Sequence, residues 1–392
     1  MTLRLDRSQA EQLARAGAAA LQAGNAVEAK RSFARLAEAG MANAQIWLLL
    51  AHSSQLDGDL AGAERAADEV LAKDKQNLRA LIIKGDCRLA AADERGAGSL
   101  YTSAAGLAAQ IGALPADLAA EVARAERASK EISGKFRGRL ERHLAAEGLG
   151  AGQRSPRFQE SIDILLEEKQ VYLQQPTSYY FPRLPQIQFY EREDFPWVDA
   201  VEAATGAMIA ELDAALGEDG LFRPYLQSRK DRPSYDFHGL LDNPAWSTLY
   251  LWENGGPVER NVARFPKTFA ALQGVPLPHI SVRAPSILFS LLKPGARIAP
   301  HNGVINTRLI CHLPLIVPEG CGFRVGNEVR AWEVGKLLIF DDTIEHEAWN
   351  DGKEDRVILI FDVWRPELSA DERRAVAAIF EGIDAGGPRA GA

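Results

Sequence analysis

The chain has 392 residues, enough for about two or three domains of ordinary size. Hydrophobic residues make up 46% and charged residues 25%, which suits a globular chain with a full core. With 45 Lys+Arg against 53 Asp+Glu the net charge is −8, which argues against a nucleic-acid binder working through phosphate contacts. Cys87, Cys311 and Cys321 are too few and too scattered for a disulfide scaffold or a four-thiolate zinc site. Residues 1–7 contain no apolar leader, so the expected compartment is the cytoplasm. The longest uncharged stretch, 96–116, is broken by four glycines and Pro115, so no membrane span is predicted.

The first third is rich in Ala, Leu, Glu, Lys and Arg, and it repeats with a period of 34 residues. Leu13, Trp47 and Leu81 align, as do Gly17, Ala51 and Gly85, and then Ala29, Ala63 and Ala97. Phe33 and Tyr101 follow, with Ala67 between them. Small residues at fixed places let paired helices cross closely, and a larger one plugs the gap to the next pair. Over residues 10–111 this pattern resembles tetratricopeptide repeats, although the usual tyrosine and proline positions are not kept. The resemblance implies a helical solenoid over 1–111 that binds a protein or peptide.

Residues 112–155 read as one charged helix, 116–146, and a linker around Gly148-Leu-Gly-Ala-Gly-Gln. These glycines lack the preceding strand and following acid of a dinucleotide fingerprint. From 156 the text changes to aromatics and prolines, with a helix predicted over 197–216. After Pro285 come short strand-like runs: 286–292, 308–317, a hairpin around Gly326-Asn327, 336–340 and 356–364. Such spacing predicts a sandwich or jelly roll over 156–382 and an α+β multidomain chain. Residues 383–392 are expected to be a disordered tail.

Four of the seven histidines lie between 279 and 346. His301 and His346, brought to one cavity by such a fold, would suit a first-row divalent metal. In Arg356-Val-Ile-Leu-Ile-Phe, alternation sets Arg356, Ile358 and Ile360 on one face and Val357, Leu359 and Phe361 on the other. An arginine among inward apolar residues offers a charged fork to a carboxylate. Arg308, Ile310 and His312 share a face of their strand, and Ser290 shares one with Leu288 and Leu292. Metal, guanidinium and hydroxyl together describe a pocket for a small diacid that chelates the metal.

The ordered text Lys293-Pro-Gly, Pro300-His301-Asn-Gly303, Asn306-Thr-Arg-Leu, His312-Leu, Ile339-Phe-Asp-Asp-Thr, Glu345-His346-Glu and Arg356 to Phe361-Asp-Val-Trp resembles the aspartyl/asparaginyl β-hydroxylase family. The resemblance covers about residues 182–368. It implies a double-stranded β-helix oxygenase that uses Fe(II), O2 and 2-oxoglutarate as cosubstrate. His301 and His346 would then be the iron ligands, and Gly303 would stand where wider relatives carry a third, carboxylate ligand. Arg356 and Ser290 would hold the distal carboxylate of 2-oxoglutarate, with His312 and Trp246 completing its pocket. Arg308 would meet the cosubstrate or an acidic substrate side chain. Ile310 departs from the animal members, where an arginine is expected, and this bears on the substrate. The implied activity is hydroxylation at the β-carbon of Asp or Asn in a protein or peptide presented by the repeats. The alternatives are the same chemistry on a small molecule or lipid, halogenation, or a non-catalytic adaptor.

Overall fold

The computed structural model describes residues 5–218, 220–228, 237–281 and 283–385. The chain divides into two compact units, Met1–Leu166 and Glu167–Ala392. No described helix is long and apolar enough to cross a membrane.

The first unit is a row of antiparallel helix pairs: α1 (Arg7–Gln22) with α2 (Ala26–Glu38), α3 (Ala44–Leu56) with α4 (Leu60–Leu71), and α5 (Leu78–Ala90) with α6 (Glu94–Ile111). The long helix α7 (Ala116–Ala146) packs on α6, and α8 (Pro156–Leu165) follows. The repeat is visible in the caps. Asn25, Asp59 and Asp93, each 34 residues apart, accept a backbone N–H at the start of the second helix of each pair. The small residues sit where the pairing predicted. A Cβ on Gly17 would come 2.8 Å from the Phe33 ring, and one on Gly85 would come 2.5 Å from the Tyr101 ring. Phe33, Ala29, Ala63, Ala97 and Tyr101 are fully buried.

The boundary expected at 155/156 lies further on, because α8 belongs to the helical unit. Arg154 explains this: its guanidinium bonds Glu141 of α7 at 2.6 Å and Gln159 of α8 at 3.0 Å, tying the two helices together.

The second unit holds two antiparallel sheets. Its strands are β1 (Phe189–Tyr190), β2 (Arg223–Pro224), β3 (Trp246–Glu253), β4 (Gly256–Pro257), β5 (Ile287–Leu292) and β6 (Arg297–His301). They continue as β7 (Arg308–Ile316), β8 (Cys321–Val325), β9 (Glu328–Arg330), β10 (Leu338–Phe340), β11 (His346–Asn350) and β12 (Arg356–Trp364). The large sheet runs β1-β10-β7-β12-β5-β3-β2, with β4 beside β3, and the small sheet runs β6-β11-β8-β9. Helices α9 (Val198–Ala203), α10 (Thr205–Ala215), α11 (Glu259–Val262) and α12 (Pro266–Ala271) accompany the large sheet. The predicted helix over 197–216 is thus two helices that meet at Ala204.

The alternation read in β12 holds. Val357, Leu359 and Phe361 join a core with Met208 and Leu212 of α10 on one side of the large sheet. Ile358 joins a second core, shared with Phe323 and Val325 of the small sheet. The last helix, α13 (Ala370–Ala385), buries Val376 and Phe380 against Trp364 and Leu184. Residues 383–385, expected to open a disordered tail, instead end this helix, and Asp384 pairs with Arg283 at 2.5 Å. The rest of that tail, 386–392, lies outside the described residues.

Candidate active site

A cavity of about 640 Å³ opens between the sheets. All seven residues expected in the site line it: Trp246, Ser290, His301, Arg308, His312, His346 and Arg356.

His301 ends β6 and His346 begins β11, and the two are direct partners across that antiparallel pair. Their ring centroids are 4.1 Å apart. Each Nδ1 bonds the carbonyl two residues earlier, Ala299 at 2.9 Å for His301 and Ile344 at 3.1 Å for His346. In neutral rings, Nδ1–H donates to that carbonyl and the lone pair is left on Nε2, the arrangement of a metal-ligating histidine. Burial lowers the pKa of His301, and burial together with His301 lowers that of His346 to about 3. Both rings are therefore neutral donors at ordinary pH. Among the described residues no cluster of three or more His, Cys, Asp or Glu is placed to hold a metal ion.

Gly303 lies directly against the Asp342 side chain. A Cβ there would collide with the carboxyl group of Asp342. Asp342 is buried, its Oδ1 finds no hydrogen-bond partner, and burial raises its pKa to about 6.

Arg356, at the start of β12, is 1% exposed and has no ion pair with any described residue. Its Nη2 lies 3.4 Å from Ser290 Oγ, its Cζ stands 4.8 Å over the Trp332 ring, and its Nε is unpartnered. Burial lowers its pKa to about 10. Ser290 also accepts from Trp246 Nε1–H at 3.2 Å, and Trp246 is stacked on Tyr225 with centroids 4.0 Å apart. With two donors on its oxygen, the Ser290 hydroxyl keeps its own proton to donate. His312 is nearby, its Nδ1 unpartnered and its pKa pushed well down by burial and by Arg356.

Arg308 lines the cavity as well, and its guanidinium meets two acids, Nη1 at 3.0 Å from Asp362 and Nη2 at 3.3 Å from Asp342. Neither acid was foreseen as a site residue. Asp362 could have been, because it continues the inward face Arg356, Ile358, Ile360 by one more step of two. Trp332 and Tyr225 carry no such signal in sequence.

Residues 202–366 match the aspartyl/asparaginyl beta-hydroxylase family. The human aspartyl/asparaginyl beta-hydroxylase is 44% identical over 141 residues, which are 36% of this chain and 18% of that protein. Ornithine lipid ester-linked acyl 2-hydroxylase of Rhizobium tropici is 36% identical over 180 residues, 45% of this chain and 60% of that protein. The chain thus spans less than two thirds of the length of these relatives. Its helical part is similar to PcrH from Pseudomonas aeruginosa, with 26% identity over 34% of this chain and 98% of that one. The TM-score is 0.29, so the repeat assignment stands on the helix pairs and caps alone. The stretch that matches the aspartyl/asparaginyl β-hydroxylase family, 202–366, is also the one that supplies the paired histidines and the buried arginine.

Proposed function

We propose that the β unit is a hydroxylase dependent on Fe(II), 2-oxoglutarate and O2. The observation that carries this is Arg356, a buried guanidinium without a carboxylate, in the same cavity as two imidazoles with free Nε2 atoms. A buried charge left unpaired costs several kcal/mol, so a fold that keeps one needs an anion to arrive. We read the sheets as a double-stranded β-helix. From β5 to β12 the chain passes back and forth between them, and each core sheet takes four of these strands.

In this reading His301 and His346 hold the iron, their rings fixed by the carbonyls of Ala299 and Ile344. Arg356 and the Ser290 hydroxyl take the distal carboxylate of 2-oxoglutarate, and Trp246 keeps that hydroxyl aimed. His312, neutral and unpartnered, offers a ring nitrogen to the cosubstrate. When bound, the metal supplies oxygen activation, balanced by decarboxylation of 2-oxoglutarate to succinate and CO2 as one oxygen atom enters a substrate C–H bond. Gly303 is the residue the family resemblance expects at its place, which favours hydroxylation over halogenation. Retention of this machinery argues against a purely adaptor role. The helical repeats are assigned to binding a protein or peptide.

For the target, the family description suggests the β-carbon of Asp or Asn in a peptide. A second reading, an acyl chain, is suggested by the lipid-hydroxylating relative from Rhizobium tropici. It is favoured by a specific observation: the cation expected to meet an acidic side chain, Arg308, is already paired.

The test is 2-oxoglutarate binding, followed by succinate formation with Fe(II) and ascorbate. Arg356→Ala should weaken cosubstrate binding by roughly 2–5 kcal/mol, as for a broken buried charge pair. Unchanged affinity would remove Arg356 from the site and the proposal with it.

A further inference from the structure

Trp332 lies in the irregular segment between β9 and β10, and its neighbours Ala331, Glu333 and Val334 are exposed, yet its own side chain is buried. A buried indole ordinarily finds an acceptor for its N–H. Here Nε1 is out of water and has no hydrogen-bond partner, so the ring is held by its faces. It is stacked on Phe323 of β8, with centroids 5.4 Å apart and planes 13° from parallel, and Arg356 Cζ stands 4.8 Å from its centroid. Arg356 lines the cavity and Trp332 does not, so the indole backs the guanidinium from outside.

What kind of group backs a buried cation decides what the cation can still do. A carboxylate steadies it, as Asp341 does for Arg365 at 3.1 Å, but the pair is then neutral and has little attraction left for another acid. An aromatic face attracts a cation through its quadrupole and brings no net charge. It fixes the plane of the fork and lowers the cost of keeping it charged, without an anion that competes for its N–H groups. Those groups are open at Arg356: Nη2 has the Ser290 hydroxyl at 3.4 Å, and Nε has no partner.

Resting on the hydroxylase reading, we propose that Trp332 is a positioning residue for the cosubstrate: its ring holds Arg356 charged and aimed, so that the fork receives the distal carboxylate of 2-oxoglutarate. Its effect passes through Arg356, so it falls on that distal carboxylate and spares the 2-oxo acid end that would chelate the metal.

The full chain, loaded anaerobically with Fe(II), is titrated calorimetrically with 2-oxoglutarate and with 2-oxobutanoate, which keeps the 2-oxo acid end and lacks the distal carboxylate. Trp332→Leu should weaken 2-oxoglutarate about tenfold, the size of a desolvated cation–π contact, and leave 2-oxobutanoate within about twofold. Trp332→Phe, which restores an aromatic face, should recover most of the loss. In succinate formation Trp332→Leu should raise the KM for 2-oxoglutarate and keep kcat at saturation. Where the Leu variant does not fold, fluorinated tryptophans placed at position 332 keep the shape and drain the ring's negative face, and 2-oxoglutarate affinity should fall with each added fluorine. Equal loss for both acids would make Trp332 a packing residue and overturn the proposal. So would an unchanged 2-oxoglutarate affinity, or a Phe variant as weak as the Leu variant. A wild type that binds the two acids alike would instead sink the cosubstrate reading itself, and this proposal with it.

Discussion

Arg124 of the helical unit meets Asp86 at 2.8 Å with nearly half of its side chain in water, and Arg31 with Glu28 and Lys135 with Glu131 are more exposed still. Such pairs contribute little to stability. The helical unit does bury the Arg154 side chain, against Glu141 at 2.6 Å, but the β unit takes two whole arginines inside. Arg365, fully buried, is ringed by acceptors: Asp341 at 3.1 Å, the Tyr190 hydroxyl at 2.7 Å and the Asn306 carbonyl at 3.2 Å. Asp341 in turn accepts from Gln174 and from Thr343. Arg356, buried as deeply nine residues earlier, has a hydroxyl at 3.4 Å and an indole face. A unit that gives one cation a carboxylate at 3.1 Å leaves the other without one among the described residues, and that contrast separates a strut from a binding group.

Substituting the two arginines is the sharpest way to break the comparison. Arg365→Met strands Asp341 without its cation and should destabilise the β unit by about 3–5 kcal/mol in urea unfolding. Arg356→Met removes a charge that has no protein partner. Without ligands it should leave stability unchanged or raise it by about 1 kcal/mol or more, while cosubstrate binding falls away. Equal destabilisation by both would mean that Arg356 is structural too, and the binding role would lose its basis.

A second probe is acid. His301, His312 and His346 are held neutral by burial, while the unfolded chain protonates them near 6.5. Their depressed pKa values mean that stability is whole above 6.5 and drains as pH falls, for His346 down to about 3. Each imidazole that stays neutral to pH 5 costs roughly 2 kcal/mol. Asp342 and Asp362, raised by burial, oppose this, because the folded state takes their protons first as pH drops, Asp342 at about 6. His346 stays neutral well below the pH at which Asp342 takes its proton, so the metal-free protein should be less stable at pH 5 than at pH 7.5. Urea midpoints at pH 7.5 and 5 measure it. A flat profile would mean that the rings are charged in the folded state and poor metal donors.

What could be read from sequence follows from how many faces a strand buries. β12 lies between β5 and β7 and packs on both sides, so its apolar run and its inward arginine were legible, and its limits matched. β6 and β11, which carry His301 and His346, were not recognised as strands. One contains Pro300, the other interleaves His346, Glu347 and Trp349, and both belong to the small sheet, with residues left partly exposed. The histidines were found from their neighbours and from the family resemblance, not from strand pattern. The pairing of Arg308 was out of reach because Asp342 sits in the turn between β10 and β11 and Asp362 on another strand.

In the helical unit the comparable test concerns backbone shape and not charge. The turn inside each helix pair needs a left-handed residue just before the capping Asn or Asp. Gly24 and Gly58 supply it with φ of 76° and 79°, but the third repeat places Ala92 there at φ 61°. A Cβ is disfavoured in that conformation by roughly 1–2 kcal/mol, partly offset by the greater freedom glycine loses on folding. Ala92→Gly should therefore stabilise the helical unit by roughly 0.5–1 kcal/mol, and Gly58→Ala should cost about as much. Thermal unfolding of both variants reads the pair. Neither change should alter 2-oxoglutarate affinity, because every described residue named in the cavity lining belongs to the other unit. Opposite signs for the two substitutions would show that the period of 34 is kept by backbone conformation as well as by packing, and equal signs would confine it to packing.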